Sequence, residues 1–187
     1  MKFVPTDLAG VFVIEPEVHR DSRGFFLETY HARKFAAAGI GEAFVQDNHS
    51  LSLRNSVRGL HAQSRNPQAK LVRCARGTIY DVAVDIRLGS ATFGRYVAVQ
   101  LSGEDFRELF LPPGFAHGFA VLSDEAEVEY KCSACYDPDD EISIAWNDPD
   151  IGIPWPVESP LLSPKDQRAP RLAEIHARLP RYAGTRA

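Results

Sequence analysis

The chain has 187 residues, a length typical of one domain and sufficient to bury a core without disulfide bonds. Its formal net charge of −4 gives no reason to expect a nucleic-acid partner, because nucleic-acid binding usually needs a strongly basic surface. No apolar run approaches the length of a membrane span, and the first residues do not resemble a signal peptide. We therefore expect a cytoplasmic protein with no membrane partner.

The chain contains three cysteines, a low and odd number that fits a reducing compartment. Cys132 and Cys135 form a C-x-x-C pair, a spacing that can serve redox or zinc chemistry. The pair lies in a predicted strand, with no second pair and no helix start beside it. We therefore interpret these two residues and Cys74 as buried, inert thiols.

Short β-branched and aromatic runs, separated by turn residues, dominate the chain. The predicted strands, in chain order, are 11–14, 25–30, 71–74, 79–86, 96–101, 108–111, 127–136 and 141–145. Within 79–86, the residues of one strand face are large and apolar and those of the other include two aspartates, so the sheet has unlike faces. Short strands at this spacing predict a mainly β fold, either a sandwich or a barrel.

Small helices are expected only at the periphery of this fold. Residues 31–38 predict a short helix that the following glycine ends, and 170–179 predict a helix docked through one apolar side. The whole chain, 1–187, is predicted to be a single domain with a core of about 10–166 and a helical tail of about 167–187.

Polar clusters interrupt the apolar pattern of the strands. Because a barrel typically carries its site inside, such side chains are candidates for chemistry. The stretches that contain them lie in order between Asp21 and Asp166 and read DSRGFFLETY, QDNHSLS, RGLHAQ, QAKLVRCARGTIYDVAVDIR, LPPGFAHGFAVL, YKCSACYDP, WNDPDIGIPWP and SPKD. In order and spacing they resemble the dTDP-4-dehydrorhamnose 3,5-epimerase family. One departure is Ala62, where that family usually has an aromatic residue, which affects the pocket wall and not the chemistry.

The resemblance implies a cupin-type jelly-roll β-sandwich or barrel and a homodimer in which the stretch containing Arg23 reaches the neighbouring site. It also implies a substrate, a dTDP-linked 4-keto-6-deoxy sugar. The reaction would invert C3 and C5 of dTDP-4-dehydro-6-deoxy-D-glucose and give dTDP-4-dehydro-L-rhamnose.

Inverting carbons beside a ketone needs a base on one face, an acid on the other, and a group that stabilises the enolate oxygen. His61 suits the base because an imidazole titrates near neutral pH, and Lys70 suits the enolate because it is a cation. Tyr130 is the candidate acid, as the resemblance also implies, and the resemblance pairs His61 with Asp166. Taken singly, each side chain is also explained as a packed or solvated residue, so the prediction rests on their joint occurrence.

The remaining candidates concern substrate binding. Tyr136 has the strand parity of Tyr130, so both face one cavity if the strand is continuous, and the resemblance implies that Tyr136 stacks on the nucleobase. An arginine fork matches phosphate oxygens, which makes arginines candidates for the diphosphate. The resemblance implies substrate binding by Arg23, Phe26, Glu28, Gln46, Asp47, Asn48, Arg58, His117, Glu141 and Lys165.

We expect neither a metal nor another cofactor. A metal-binding cupin usually presents H-x-H, and here the second position is Gln63, a poor ligand for a transition metal. The reaction involves no net redox change, and the chain contains no dinucleotide or P-loop motif.

Three functions remain open at this point. The first is a 3,5-epimerase, and the second is a C3-only epimerase or related 4-keto sugar-nucleotide isomerase. The third is a non-catalytic cupin that only binds a nucleotide-sugar. The joint presence of His61, Lys70, Tyr130 and Asp166 counts against the third, because binding alone needs no base and acid.

Overall fold

The computed structural model describes residues 1–182 and 184. Within them the chain forms thirteen strands, one α-helix and two 3₁₀ helices. The strands, named β1 to β13, are Lys2–Pro5, Phe12–Glu15, Val18–Asp21, Gly24–Leu27, Gln46–Leu53, Val57–Gln63, Lys70–Arg76, Thr78–Asp85, Tyr96–Ser102, Glu108–Leu111, Phe115–Val121, Glu125–Cys132 and Glu141–Ser143.

Two antiparallel sheets pack face to face and form the body of the protein. The larger sheet has the order β1-β2-β10-β7-β12-β5, and the smaller has the order β13-β6-β11-β8-β9. Strands β3 and β4 form a separate hairpin. The prediction of a mainly β, cupin-type jelly roll is confirmed.

The two faces of β8 differ as the sequence predicts. Ile79 and Ala83 lie in the core between the sheets, whereas Val82, Val84 and Ile86 lie in a second core on the opposite side of their sheet. Strand β8 lies between β11 and β9 in its sheet, and apolar side chains are buried on both of its faces, which leaves few positions for polar residues.

The predicted helix at 31–38 is confirmed as α1, Ala32–Ala37. It ends at Gly39, which has a φ of 86° and donates a hydrogen bond from its backbone to Ala36 O. Such a left-handed residue satisfies the last carbonyl groups of a helix, and glycine adopts it without a steric penalty. No helix among the described residues is long and apolar enough to cross a membrane.

The C-terminal segment docks as predicted but as 3₁₀ helices, Asp166–Arg168 and Leu172–Arg178, the second with a kink at Ile175. Leu172, Ile175 and Leu179 are buried against the smaller sheet. Residues 183 and 185–187 of the predicted tail lie outside the described residues.

The predicted strand at 127–136 is wrong at its C-terminal end, because β12 ends at Cys132. Its two neighbours, β5 and β7, both begin opposite Cys132, so the ladder has no partner for the residues that follow. For the same reason Cys135 is exposed and not buried as predicted, whereas Cys74 and Cys132 are buried. Strand β4 also ends earlier than predicted, at Leu27.

Candidate active site

The candidate residues meet between the two sheets. His61 on β6 and His117 on β11 are Cα partners in the smaller sheet. Lys70 on β7 and Tyr130 on β12 belong to the larger sheet, and all four side chains line a cavity of about 640 Å³. The sandwich therefore places the two histidines opposite the lysine and the tyrosine.

The glycine of the R-G-L-H stretch has a structural role beside this cavity. Gly59 has a φ of 109°, and a Cβ atom there would lie 2.5 Å from His117 O and 2.6 Å from Gly118 Cα. Only glycine fits so close an approach of two backbones. It brings β6 and β11 together immediately before His61.

His61 and Asp166 form a hydrogen-bonded pair, as the resemblance implies. Nε2 of His61 lies 2.6 Å from Asp166 Oδ1, although the two residues are 105 positions apart in the chain. The Ser163 hydroxyl donates a second hydrogen bond of 2.8 Å to Asp166 Oδ2. The carboxylate thereby fixes one nitrogen of the imidazole and leaves Nδ1 facing away from it.

The electrostatics of this pair favour an ionised carboxylate. Burial raises the pKa of Asp166, but the hydrogen bonds from His61 and Ser163 and the nearby charge of Lys165 outweigh it, so the pKa lies below its usual range. An ionised Asp166 only accepts hydrogen bonds, which means that His61 Nε2 carries the proton. Nδ1 is then the basic nitrogen.

Lys70 is buried and Tyr130 is partly buried, so both have limited contact with solvent. Burial lowers the pKa of the Lys70 ammonium and raises the pKa of the Tyr130 hydroxyl. Because burial reduces their contact with water, any hydrogen bond or charge interaction that they make with a ligand is less screened. Tyr130 stays protonated at neutral pH and is therefore able to donate its proton.

A second cavity of about 240 Å³ adjoins the first, and His61, Lys70 and Tyr130 line both. Tyr136 lies at its edge, half exposed, and donates a hydrogen bond of 3.0 Å to Glu141. The parity argument for Tyr136 is wrong, because β12 ends before it, yet the turn that follows brings Tyr136 to this cavity.

Glu141 lines the small cavity and contacts two charged or titratable residues of the large one, Lys165 and His61. Its carboxylate accepts hydrogen bonds from Lys165 at 2.8 and 2.9 Å, and its Oε1 lies 3.9 Å from His61 Nδ1. Burial raises the pKa of Glu141, but Lys165, His61 and Tyr136 together hold it below the usual range. Of the other predicted binding residues, Arg58 and Lys165 line the large cavity, and Gln46 and Asn48 line the small one.

Four of the predicted binding residues lie elsewhere in the chain. Arg23 and Phe26 belong to the exposed β3–β4 hairpin, and Glu28 just after it binds Lys34. Asp47 is on the outer face of the larger sheet, where it pairs with Lys131. Their predicted roles in binding therefore remain predictions.

Two polar residues of the site were missed from the sequence. Asp81 is completely buried on β8 and lies 2.9 Å from His117 Nε2. Its signal was an acidic residue, one of two, in a predominantly apolar strand. Ser163 is three residues before Asp166, a spacing at which a hydroxyl commonly reaches a neighbouring turn.

Among the described residues, no group of three histidine, cysteine or acidic side chains is arranged to hold a metal ion. The large cavity contains two histidines, and each of them is paired with its own aspartate.

Comparison with known proteins identifies the family. A family model described as dTDP-4-dehydrorhamnose 3,5-epimerase matches residues 5–174. The chain belongs to this family of sugar-nucleotide epimerases. A dTDP-4-dehydrorhamnose 3,5-epimerase from Methanothermobacter thermautotrophicus is 50% identical over 176 residues, which cover 92% of this chain and 95% of that protein.

Solved structures of epimerases superpose on the same fold. A dTDP-6-deoxy-D-glucose-3,5-epimerase from Legionella pneumophila, in complex with dTDP-4-keto-L-rhamnose, has a TM-score of 0.96 and 47% identity, covering 98% of this chain and 99% of that one. Among relatives compared by sequence, a dTDP-4-dehydrorhamnose 3-epimerase from Streptomyces niveus is 43% identical, covering 98% of this chain and 90% of that protein.

Proposed function

We propose that this protein inverts C3 and C5 of dTDP-4-dehydro-6-deoxy-D-glucose and produces dTDP-4-dehydro-L-rhamnose. The observation that carries the proposal is the meeting of the His61–Asp166 pair, Lys70 and Tyr130 in one cavity. The named activity of the relatives in the 3,5-epimerase family supports it.

The first step is removal of a proton from a carbon beside the ketone. His61 Nδ1 is the proposed base, because Nε2 is bound to Asp166 and the ionised carboxylate stabilises the imidazolium that forms. Asp166 therefore acts through His61 and not on the sugar.

Negative charge then develops on the ketone oxygen. Lys70 is the proposed group that stabilises it, and the burial of its ammonium reduces the screening of that interaction by water. Tyr130 delivers a proton from the other side. Because His61 and Tyr130 belong to opposite sheets of the sandwich, a sugar between them meets a base on one face and an acid on the other.

The nucleotide is proposed to occupy the adjoining parts of the site. The two cavities share their central lining, and together they are of the size that proteins use for ligands of this class. Arg58 and Lys165 are the proposed diphosphate ligands, and the half-exposed ring of Tyr136 is available for stacking on the base.

We further propose a homodimer that acts in the cytoplasm as a single-domain subunit. The hairpin β3–β4 carries Phe26, whose surface is 70% exposed, and Arg23, whose side chain has the neighbouring Asp21 as its only ion-pair partner among the described residues. Such an aromatic on an exposed hairpin suits contact with a second copy. The three free cysteines fit a reducing compartment.

A second candidate is a C3-only epimerase, which the similarity to the Streptomyces niveus 3-epimerase favours. The same base and acid serve both reactions, so the residues described above do not separate them.

Deuterium incorporation tests the proposal. The purified protein, treated with EDTA and given no cofactor, is incubated with dTDP-4-dehydro-6-deoxy-D-glucose in D₂O and the sugar is followed by NMR. Deuterium at both C3 and C5 is the expected result. Deuterium at C3 alone would support the second candidate, and incorporation at neither carbon would support a protein that only binds the nucleotide-sugar.

A further inference from the structure

Asp81 is a buried acid for which the proposed mechanism has no use. Its side chain is 0% exposed, and its two carboxylate oxygens lie 2.9 and 3.1 Å from Nε2 of His117. Among the described residues the His117 ring is its only hydrogen-bond partner. Because an uncompensated buried carboxylate is costly, the pair must act as one unit.

His117 stands at the centre of the site. It is the Cα partner of His61, its ring centroid lies 6.5 Å from that of Tyr130, and it lines the large cavity together with Lys70. Asp81 on β8 binds the ring directly. The other ionisable groups that share the cavity with it are Arg58 and His61 from β6, Lys70 from β7, Tyr130 from β12, and Lys165 and Asp166 near the C-terminus.

The pairing leaves one nitrogen of His117 for a ligand. Nε2 is held by Asp81, and Nδ1 has no hydrogen-bond partner among the described protein groups, in a ring that lines the cavity. When His117 is an imidazolium, the pair has no net charge, which a buried position tolerates better than a net negative pair. Nδ1 then carries a proton and donates it in a hydrogen bond.

The two histidine–aspartate pairs of the cavity differ in their surroundings. The His61 side chain is 26% exposed and its aspartate lies near the charge of Lys165, so a net negative pair is tolerated there. The His117 side chain is 7% exposed. The two pairs therefore differ in how strongly solvent screens their charges.

We propose that Asp81 is a positioning residue for the epimerisation. It holds His117 with Nδ1–H directed into the cavity, where that group donates a hydrogen bond to the sugar oxygen that gains charge, beside Lys70. This role rests on the proposed epimerase function. Two donors on one oxygen stabilise its developing charge more than either does alone.

The test uses the full chain labelled with ¹⁵N-histidine and does not need turnover. In the wild-type protein at pH 7, the His117 ring is expected to give signals of protons on both nitrogens, with a strongly deshielded Nε2 proton at the contact with Asp81. Asp81→Asn is expected to convert His117 to a neutral ring at pH 7. A wild-type His117 that is already neutral at pH 7 overturns the proposal, even if the variant does not fold.

Asp85→Asn is the matched control, because Asp85 is also fully buried on the same face of β8 but binds Arg87, Ser90 and Thr92 away from the cavity. It is expected to lower stability while leaving the His117 signals and kcat unchanged. If both variants shift the His117 signals equally, Asp81 is only a structural residue and the proposal fails.

Kinetics supply the second readout. Asp81→Asn is expected to lower kcat by about tenfold or more, with a smaller change in KM. In a His117→Asn background the same change is expected to have no further effect, and an undiminished effect would overturn the proposal. Wild-type deuterium incorporation is measured first, so a failure of the epimerase function is recognised separately from a failure of this role.

Discussion

Burial and pairing distinguish the proposed base from the proposed acid at the scale of single residues. His61 is partly exposed, and the ionised carboxylate that accepts its Nε2 proton leaves Nδ1 without a proton and able to take one. Tyr130 is surrounded by protein that disfavours its phenolate, which raises its pKa. The first group therefore takes up a proton and the second keeps one until it is transferred.

Substitution of these two residues is expected to give different defects. His61→Asn should lower turnover by about 10² to 10⁴ or more, and it should abolish deuterium incorporation because no carbanion forms. Tyr130→Phe keeps the ring and its packing, so exchange on the original face should persist while net inversion falls steeply. NMR of the sugar in D₂O measures both quantities.

Two outcomes would contradict the roles proposed for His61 and Tyr130. Equal loss of exchange in both variants would mean that Tyr130 is not simply the acid of the opposite face. Near-normal turnover in His61→Asn would transfer the role of base to another residue, and His117 on the adjacent strand is the next one to test.

At the scale of elements, the hairpin β3–β4 is the part of the chain that the fold leaves least covered. Phe26 is 70% exposed, whereas Phe25 on the same strand packs against Phe106 of its own chain at 4.7 Å. The two phenylalanines thus have different partners, one within the chain and one expected in a second copy.

Mixed dimers test whether the hairpin completes the site of the neighbouring subunit. Phe26→Ala and His61→Asn should each be nearly inactive alone. When both are co-expressed, about a quarter of all sites should regain an intact pair, because half of the dimers are mixed and one site in each is complete. Turnover of the mixture relative to wild type is the measurement.

Phe25→Ala is the control for this experiment and should remain active without complementation. A mixture of Phe26→Ala and His61→Asn that shows no more activity than the sum of its parts would mean that the hairpin serves its own subunit. A monomer in sedimentation at micromolar concentration would exclude the shared site altogether.

At the scale of the whole molecule, Glu108 gives stability an unusual dependence on pH. It is buried on the outer face of the larger sheet, lines a cavity of about 350 Å³, and neither carboxylate oxygen has a hydrogen-bond partner among the described residues. Burial raises the pKa of Glu108 to about 8 from an ordinary value of 4.5, despite the nearby charges of Arg73 and Lys131. Ionisation therefore favours the unfolded chain.

The resulting pH dependence has a defined sign and window. Stability from Glu108 is fully present below pH 4.5 and is lost as the pH rises to about 8, with a slope of up to about 1.4 kcal/mol per pH unit. Glu108→Gln should remove this slope. Urea unfolding of both proteins from pH 5 to pH 9 measures the difference.

Glu104→Gln provides the comparison, because Glu104 is exposed in the turn just before β10. It should unfold like the wild type at every pH. If the difference in stability between wild type and Glu108→Gln is the same at pH 5 and pH 9, Glu108 has an ordinary pKa and its burial is compensated by a group on another subunit.

Much of the fold could be predicted from the sequence because strand and turn signals are local. The alternation along β8 and the glycine stop after α1 depend on nearest neighbours, and both were predicted correctly. The polar strands β5, β6 and β11 were not assigned as strands, because their binding residues obscure the apolar alternation.

Errors arose where a distant partner decides the outcome. The end of β12 at Cys132 depends on where β5 and β7 begin. The residues after Cys132 contain no local signal that predicts this strand end. Strand parity failed for Tyr136 for the same reason, even though the turn returns that side chain to the site.

The sequence by itself determined the class of fold, the family and the residue types available for proton transfer, because motif order and periodicity are properties of the chain. Only the tertiary structure decided which groups are paired. Asp166 reaches His61 across 105 residues, and Asp81 reaches His117 across 36. Burial, and with it the charge state of each pair, depends on how the two sheets enclose these contacts, and no local sequence pattern specifies that enclosure.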